Sequence, residues 1–112
     1  MDIDIKTFNN IAVVELTDKL DIYHAALLPR TINELIDRNT RSVIFNLEKL
    51  IFIDSSGIGV LITAMGELKK AGGALKITGL NEFTAPIFRI TNANNLFDIY
   101  ETETDAVNSF KK

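Results

Sequence analysis

The hydrophobic pattern changes several times along the chain between a strand-like period of two residues and a helical period of about 3.6. Residues 3–7 and 11–16 carry strand-type patterns, and Asn9-Asn10 between them can take the left-handed turn of a hairpin. Residues 42–47 (SVIFNL) form a nearly continuous apolar run, as expected for a strand covered on both faces. Helical spacing follows each later strand, so strands and helices alternate after one opening hairpin.

This alternation predicts the element order ββαβαβαβα in a single α/β domain spanning residues 1–112. Because parallel strands are joined by right-handed crossovers, the order gives a mixed central sheet of four or five strands with helices mainly on one face. Gly72-Gly73 and Asn92 suit left-handed helix ends, and Asn81 is expected to be an N-cap. The predicted helices cover residues 25–39, 57–71, 82–91 and 104–110, and the predicted strands cover residues 3–7, 11–16, 42–47, 75–78 and 97–100.

Composition excludes several classes of function. The 112 residues include no cysteine, which rules out a disulfide framework or a cysteine-based zinc site. The net charge is -3, and the basic residues are scattered rather than clustered as nucleic-acid binding requires. The N-terminal segment lacks the pattern of a signal peptide, and no segment is apolar enough to cross a membrane. These features predict a cytoplasmic protein, monomeric or weakly dimeric, with no direct nucleic-acid partner and no membrane partner.

The turn Asp54-Ser55-Ser56-Gly57 is the part of the chain most suggestive of function. Residues 51–53 (IFI) are expected to anchor it in the core, and the helix that follows presents unpaired N–H groups and partial positive charge at its start. An anion such as a phosphate ester is stabilised there, so a serine in this turn is a credible phosphoacceptor. The alternative is that Ser55 or Ser56 merely caps the helix.

The helix after this turn has two predicted faces. Its buried face comprises Ile58, Leu61, Ile62, Met65 and Leu68, and the opposite face carries Ser56, Val60, Thr63 and Glu67. Val60 is then an exposed hydrophobic residue beside the serines, either as part of a docking face or as an ordinary surface valine. Gly59 and Gly66 either allow close approach of a partner or are simply tolerated.

Enzymatic function is not expected. A serine hydrolase needs a base and a nucleophile elbow, but His24 is the sole histidine and G-x-S-x-G is absent. Gly57-Ile58-Gly59 matches only a fragment of a phosphate-binding loop, and the carboxylates lack metal-ligand spacing. The sequence therefore predicts a binding protein without a cofactor or a metal.

The segment IDSSGIGVLITAMGELKKAGGALKITGL resembles the signature of the STAS domain, in particular of the anti-sigma factor antagonists, in which an Asp-Ser-Ser/Thr-Gly-aliphatic-Gly run opens a helix. TDKLDIYHAALLPRTINELI, SVIFNLEKLIFIDSSG and NEFTAPIFRITNANNLFDIY are similar to other parts of the family pattern, so the likeness covers nearly the whole chain. Three places depart from it: Asp18-Lys19 stands where Gly-Glu is common, Asn46 where aspartate is frequent, and Thr91-Asn92-Ala93 where Thr-Gly-Leu is usual.

The resemblance implies that Ser55 is the phosphorylated residue, with Ser56 as second choice. Asp21 resembles the family's acidic residue near that serine, although an aspartate there is also a good helix start signal. With the exposed helix face, the predicted partner-binding residues are Asp21, Asp54, Ser56, Gly57, Gly59, Val60 and Thr63.

The implied function is that of an anti-sigma factor antagonist. Its partners would be an anti-sigma factor with serine kinase activity, which the unmodified protein binds so that a sigma factor is released, and a serine phosphatase that reverses the modification. The alternatives are a stand-alone STAS subunit of a lipid or anion transport assembly and, less directly, a nucleotide-binding protein.

Overall fold

In a computed structural model, which describes residues 2–111, the chain forms a mixed α/β fold with six strands and four α-helices. The expected domain bounds of 1–112 include Met1 and Lys112, which lie outside the described residues. The elements are β1 (Asp2–Phe8), β2 (Ile11–Leu20), α1 (Leu27–Asp37), β3 (Ser42–Asn46), β4 (Leu50–Ile53), α2 (Ser55–Lys70), β5 (Ala74–Thr78), α3 (Ala85–Ile90), a 3-10 turn (Ala93–Asn95), β6 (Asp98–Tyr100) and α4 (Glu103–Phe110).

The sheet is mixed, as predicted. Strands β1 and β2 form an antiparallel hairpin, and β2, β3, β5 and β6 run parallel to their neighbours in the order β1-β2-β3-β5-β6. Asn9 and Asn10 have φ angles of 51° and 63°, which confirms the predicted hairpin turn.

The predicted number of strands, four or five, is wrong by one because β4 was not anticipated. The first half of β2 pairs with β3, but after a register shift between Asp18 and Lys19 its last residues pair in parallel with β4. Asp18 has a φ of 69°, a left-handed conformation that glycine adopts most easily. The irregularity redirects the end of β2 towards the candidate site.

Helices α1, α2 and α3 pack on one face of the sheet, and α4 packs on the other, which confirms the expected arrangement. Leu28, Leu61 and Phe88 join Val14 and Phe45 in the larger apolar cluster. The smaller cluster comprises Ile11, Val13, Ile44, Ala106 and Val107. Because β2 and β3 bury side chains in both clusters, these two central strands are covered on both sides and their backbones are fixed.

Three apolar residues expected in the core lie at the surface. Ile51 and Phe52 are 50% and 43% exposed, because β4 turns only its first and last residues inward. Ile62 is 38% exposed, since the buried positions of α2 after Ile58 are Leu61, Ala64 and Leu68, a spacing that points residue 62 outward.

Most of the predicted helix ends are close to those observed. Gly72 and Asn92 have φ angles of 85° and 62°, so both take the expected left-handed conformation. The predicted N-cap at Asn81 is wrong. Its Oδ1 accepts hydrogen bonds from the N–H groups of Phe83 and Thr84 in a preceding turn, and α3 begins only at Ala85.

Candidate functional site

The candidate site lies at the carboxyl ends of β2 and β4. Leu20 and Ile53 are partners in the parallel ladder between these strands, so the next residues, Asp21 and Asp54, leave the sheet side by side. In open α/β sheets this edge is where ligands and partners are usually bound. The structure therefore brings together two acidic residues that are more than thirty positions apart in the sequence.

Asp54 caps α2. Its backbone is extended, with φ -118° and ψ -174°, and its Oδ1 accepts a hydrogen bond from the N–H of Gly57 at 3.0 Å. The Asp54 carbonyl oxygen accepts the first intrahelical bond, from Ile58 N at 3.0 Å. The alternative that Ser55 or Ser56 caps the helix is therefore wrong, because the aspartate occupies the capping position.

Ser55 is the first residue of α2 and is exposed to solvent, whereas Ser56 is half-buried. Within residues 2–111, neither serine hydroxyl has a hydrogen-bond partner, and the backbone N–H groups of both serines lie ahead of the first intrahelical bond. The accessibility required of a phosphoacceptor is thus present at Ser55, beside the positive end of a 16-residue helix.

Gly57 is buried, so its predicted role as a direct partner contact does not fit its position. A Cβ at residue 57 would lie 2.5 Å from the carbonyl oxygen of Leu20 and 2.8 Å from Cγ1 of Ile53. Glycine is required here because the first turn of α2 packs directly against the ends of β2 and β4. Gly59, in contrast, is exposed, and a Cβ there would meet nothing within 4 Å.

Asp21 organises the turn that follows β2. Its Oδ1 accepts hydrogen bonds from Tyr23 N at 3.0 Å and His24 N at 3.2 Å and lies 2.7 Å from His24 Nδ1. Partial desolvation raises the pKa of Asp21, but the hydrogen bonds and the charge of His24 outweigh it and hold that pKa below its ordinary value. Asp21 is therefore ionised at neutral pH. Its predicted role as the start signal of the helix is wrong, because α1 begins at Leu27 after Ala26, and Asp21 instead stabilises the turn between β2 and α1.

A groove separates α1 from α2, one turn along α2 from the serines. Val60 is half-buried and packed against the core rather than exposed as expected, and it lines the groove. Thr63 is exposed, and its hydroxyl donates to the carbonyl oxygen of Gly59 at 3.0 Å. The groove has a volume of about 260 Å³ and is lined by Pro29, Ile32, Asn33, Val60, Thr63, Ala64 and Glu67.

Sequence reasoning missed the exposed apolar residues that flank the two aspartates. Ile22 and Tyr23, which follow Asp21, are 67% and 87% exposed, and Ile51 and Phe52 precede Asp54 on β4. The sequence does show large apolar residues next to the two aspartates. Their spacing alone, however, does not tell whether such residues lie at the surface or in the core. Exposed apolar side chains rimmed by polar groups are typical of interaction sites.

Neither a metal centre nor a membrane span is found in the part of the chain that the structure describes. Among residues 2–111, no group of three or more histidine or acidic side chains is arranged to hold a metal ion. In the same residues, none of the helices combines the length and apolarity that a membrane crossing requires.

Comparison with known proteins gives a consistent result. The family model of the STAS domain matches residues 2–106. The chain is 29% identical over 99 residues to the anti-sigma-B factor antagonist of Bacillus subtilis (strain 168), a match covering 88% of this chain and 90% of that protein.

Two solved structures share the fold. A putative anti-sigma factor antagonist from Thermotoga maritima superposes with a TM-score of 0.89 at 19% identity, over 98% of this chain and 95% of that one. The Bacillus cell fate determinant SpoIIAA in its phosphorylated form superposes with a TM-score of 0.73 at 21% identity, over 98% of this chain and 100% of that one. With the family model matching nearly the whole sequence, the chain belongs to the STAS domain family.

Proposed function

We propose that this chain is an anti-sigma factor antagonist that binds an anti-sigma factor when unmodified and loses that affinity when Ser55 is phosphorylated. The names of its relatives support the general role. The observation that carries the assignment of Ser55 is that its hydroxyl is exposed at the start of α2, while the capping and packing tasks of this turn belong to Asp54 and Gly57. Ser55 can be modified without disturbing the fold.

The unmodified surface suits protein binding. Ile22 and Tyr23 present apolar area beside Asp21, and the groove at Val60 and Thr63 offers a shallow recess next to the helix start. Aromatic and aliphatic residues of this kind form the centres of protein interfaces, with polar groups at the rim. Occupation of the anti-sigma factor by this surface would release the sigma factor and allow transcription.

Phosphorylation would act through charge and bulk. The kinase would transfer the γ-phosphoryl group of ATP to Ser55 Oγ, with ADP leaving and the hydroxyl proton lost, and a phosphatase would later hydrolyse the ester. The group adds about -1.5 to -2 charges at pH 7, immediately beside Asp54 and at the edge that also carries Asp21. An acidic partner surface would be repelled, and an apolar one would have to desolvate the phosphate, while the free N–H groups of α2 would favour the phosphate locally.

The test uses the full chain and the anti-sigma factor that it captures from its native lysate, identified by mass spectrometry. Transfer of labelled phosphate from ATP and affinity for the captured kinase are measured for wild type, Ser55→Ala, Ser55→Asp and the matched control Ser56→Ala. We expect Ser55→Ala to bind but take no label, Ser55→Asp to lose at least tenfold in affinity, and Ser56→Ala to behave as wild type.

Other outcomes point elsewhere. Loss of label in Ser56→Ala with full labelling of Ser55→Ala would move the modified site by one residue. Wild-type affinity of Ser55→Asp, together with the absence of labelling, would refute the switch. If a permease or a transport ATPase were captured in place of an anti-sigma factor, the chain would instead be a STAS subunit of a transport assembly.

A further inference from the structure

The first strand, β1, forms an open edge of the sheet. Among residues 2–111 it pairs only with β2, and it lies at one end of the strand order β1-β2-β3-β5-β6. Its residues, Asp2–Phe8, are all exposed except Ile3, which is half-buried. An edge strand of this length presents a row of backbone groups with which a further strand can pair.

The geometry of the hairpin fixes which backbone groups of β1 face outward. Phe8 and Ile11 flank the two-residue turn, and in such a hairpin this pair exchanges hydrogen bonds, so every second residue before Phe8 also bonds β2. Asp2 agrees with this alternation, since its N–H donates to Thr17 Oγ1 at 3.3 Å and its carbonyl oxygen accepts from the same hydroxyl at 3.5 Å. The residues that point their N–H and C=O groups away from β2 are therefore Ile3, Ile5 and Thr7.

A second copy of β1 can bond these outward groups in an antiparallel ladder about a two-fold axis. With the axis at Ile5, the two Ile5 residues bond each other, and Ile3 bonds Thr7 of the other copy on both sides of the axis. Every outward N–H group then finds a carbonyl oxygen. The side chain of Ile5, which is 40% exposed, meets its own counterpart on one face of the pair. Such a two-fold pair closes on itself and cannot extend into a filament through this edge.

The charges of β1 select this register. Asp4 and Lys6 lie on one face of the strand, because side chains two residues apart share a face. With the axis at Ile5, each Asp4 lies directly opposite Lys6 of the other copy. Moving the axis by one residue in either direction would place Asp4 opposite Asp4 or Lys6 opposite Lys6, and like charges directly opposite are destabilising. Charges on an edge strand commonly keep other strands away, but this pattern is complementary to itself.

Both charged side chains are available for these contacts. Lys6 lies 3.3 Å from Glu103 but keeps 61% of its side chain exposed. Within the hairpin, Asp4 lies opposite Glu15, whose carboxylate is paired with Lys49 at 3.3 Å. Asp4 itself is exposed and takes part in no ion pair of the described residues. A lysine supplied from the open side would give Asp4 a cation and offset its repulsion by Glu15.

From these observations we propose that β1 is a self-association surface, at which two copies of this chain pair edge to edge, antiparallel and centred on Ile5, into one continuous sheet. The contact is confined to one strand of each copy, which is less than the area that stable dimers bury, so the association is weak and depends on concentration. Because its ion pairs are exposed, it weakens as the salt concentration rises.

The test measures self-association of the full chain by sedimentation equilibrium at low salt, from micromolar to millimolar concentration. Asp4→Lys and Lys6→Asp each place like charges opposite each other, so each should weaken self-association about tenfold. An equimolar mixture of these two variants again has opposite charges across the ladder and should associate about as tightly as wild type. Asp37→Lys makes the same change of charge at the exposed end of α1 and should associate as wild type does.

A second set of measurements tests the backbone ladder. Ile5→Pro removes an outward N–H and no bond to β2, so the edge strand tolerates it, and it should abolish self-association while the amide NMR spectrum shows that the fold is kept. In wild type, hydrogen exchange at the amides of Ile3, Ile5 and Thr7 should slow as the protein concentration rises. Exchange at Asp4 and Lys6, whose amides already bond β2, should not change.

Three results would overturn the proposal. A wild type that stays monomeric up to millimolar concentration would leave this edge to a strand of a different protein. Failure of the mixed charge variants to associate would refute the register centred on Ile5. Self-association that survives both Asp4→Lys and Ile5→Pro, with unchanged exchange of the outward amides, would mean that the copies meet at another surface.

Discussion

Substitution of Asp54 by alanine tests whether the aspartate, and not the serine next to it, holds the start of α2. The change removes the Oδ1 acceptor that bonds Gly57 N at 3.0 Å and leaves that N–H without its partner. Loss of an N-cap side chain costs about 0.5 to 2 kcal/mol, and the charge at the positive end of the helix is part of that sum. We expect Asp54→Ala to lower the free energy of unfolding by about 1.5 kcal/mol, because the cap is half-buried and its hydrogen bond has good geometry.

Ser55→Ala supplies the contrast. Its hydroxyl has no partner in the described chain, and exposed substitutions of this kind stay within about 0.5 kcal/mol. Asp54→Asn keeps an oxygen acceptor and removes the charge, so it should fall between the two and separate the hydrogen bond from the dipole contribution.

The free energy of unfolding is measured by urea titration at neutral pH, with thermal unfolding as a second readout. For a domain of this size, about 1.5 kcal/mol corresponds to a fall in Tm of roughly 6 °C. If Ser55→Ala lowered the free energy of unfolding as much as Asp54→Ala or more, the assignment of Asp54 as the cap would be refuted. Ser55 would then contribute to the stability of the fold.

Four further changes test other parts of the structure. Leu61→Ala should cost roughly 2 to 5 kcal/mol in urea unfolding because Leu61 is fully buried. Asp18→Gly should raise the free energy of unfolding by roughly 0.5 kcal/mol, since φ is 69° at that bulge. The lowered pKa of Asp21 means that its stabilising contribution is present above about pH 4 and is lost as pH falls through the folded-state value, so Asp21→Asn should flatten the acid side of the stability profile. Asn46→Asp should cost roughly 1 to 3 kcal/mol at neutral pH, because its carboxylate would replace the amide that now donates to Glu103, and the cost should shrink in acid as the pair takes up a proton.

The order of elements was predictable because period and turn chemistry agree along the chain. The hairpin at Asn9-Asn10 and the helix end at Gly72 depend on local backbone preferences, which the sequence carries directly. Strand β4 was missed for a different reason. It depends on a partner more than thirty residues earlier, and on a register shift at Asp18 that no local pattern reveals.

The exposure of Ile51 and Phe52 follows from the same tertiary feature. Three consecutive apolar residues predict burial on average, yet β4 has only the end of β2 as a partner and turns only its terminal residues inward. The candidate turn beside it, residues 54–57, could be identified from its residue types. The sequence did not show which side chain caps α2. Aspartate and serine are both good N-caps, and only the backbone geometry selects between them.

Asn46 shows how a departure from a family pattern can be given a physical meaning. An aspartate at this position could accept the bond from Glu48 N but could not donate to Glu103, so it would place two carboxylates in contact. The asparagine satisfies both neighbours at once, and no second carboxylate is placed beside Glu103. The turn that carries Ser55 depends on other contacts, the Asp54 cap and the close packing of Gly57, so we expect an exchange at residue 46 to leave that turn intact.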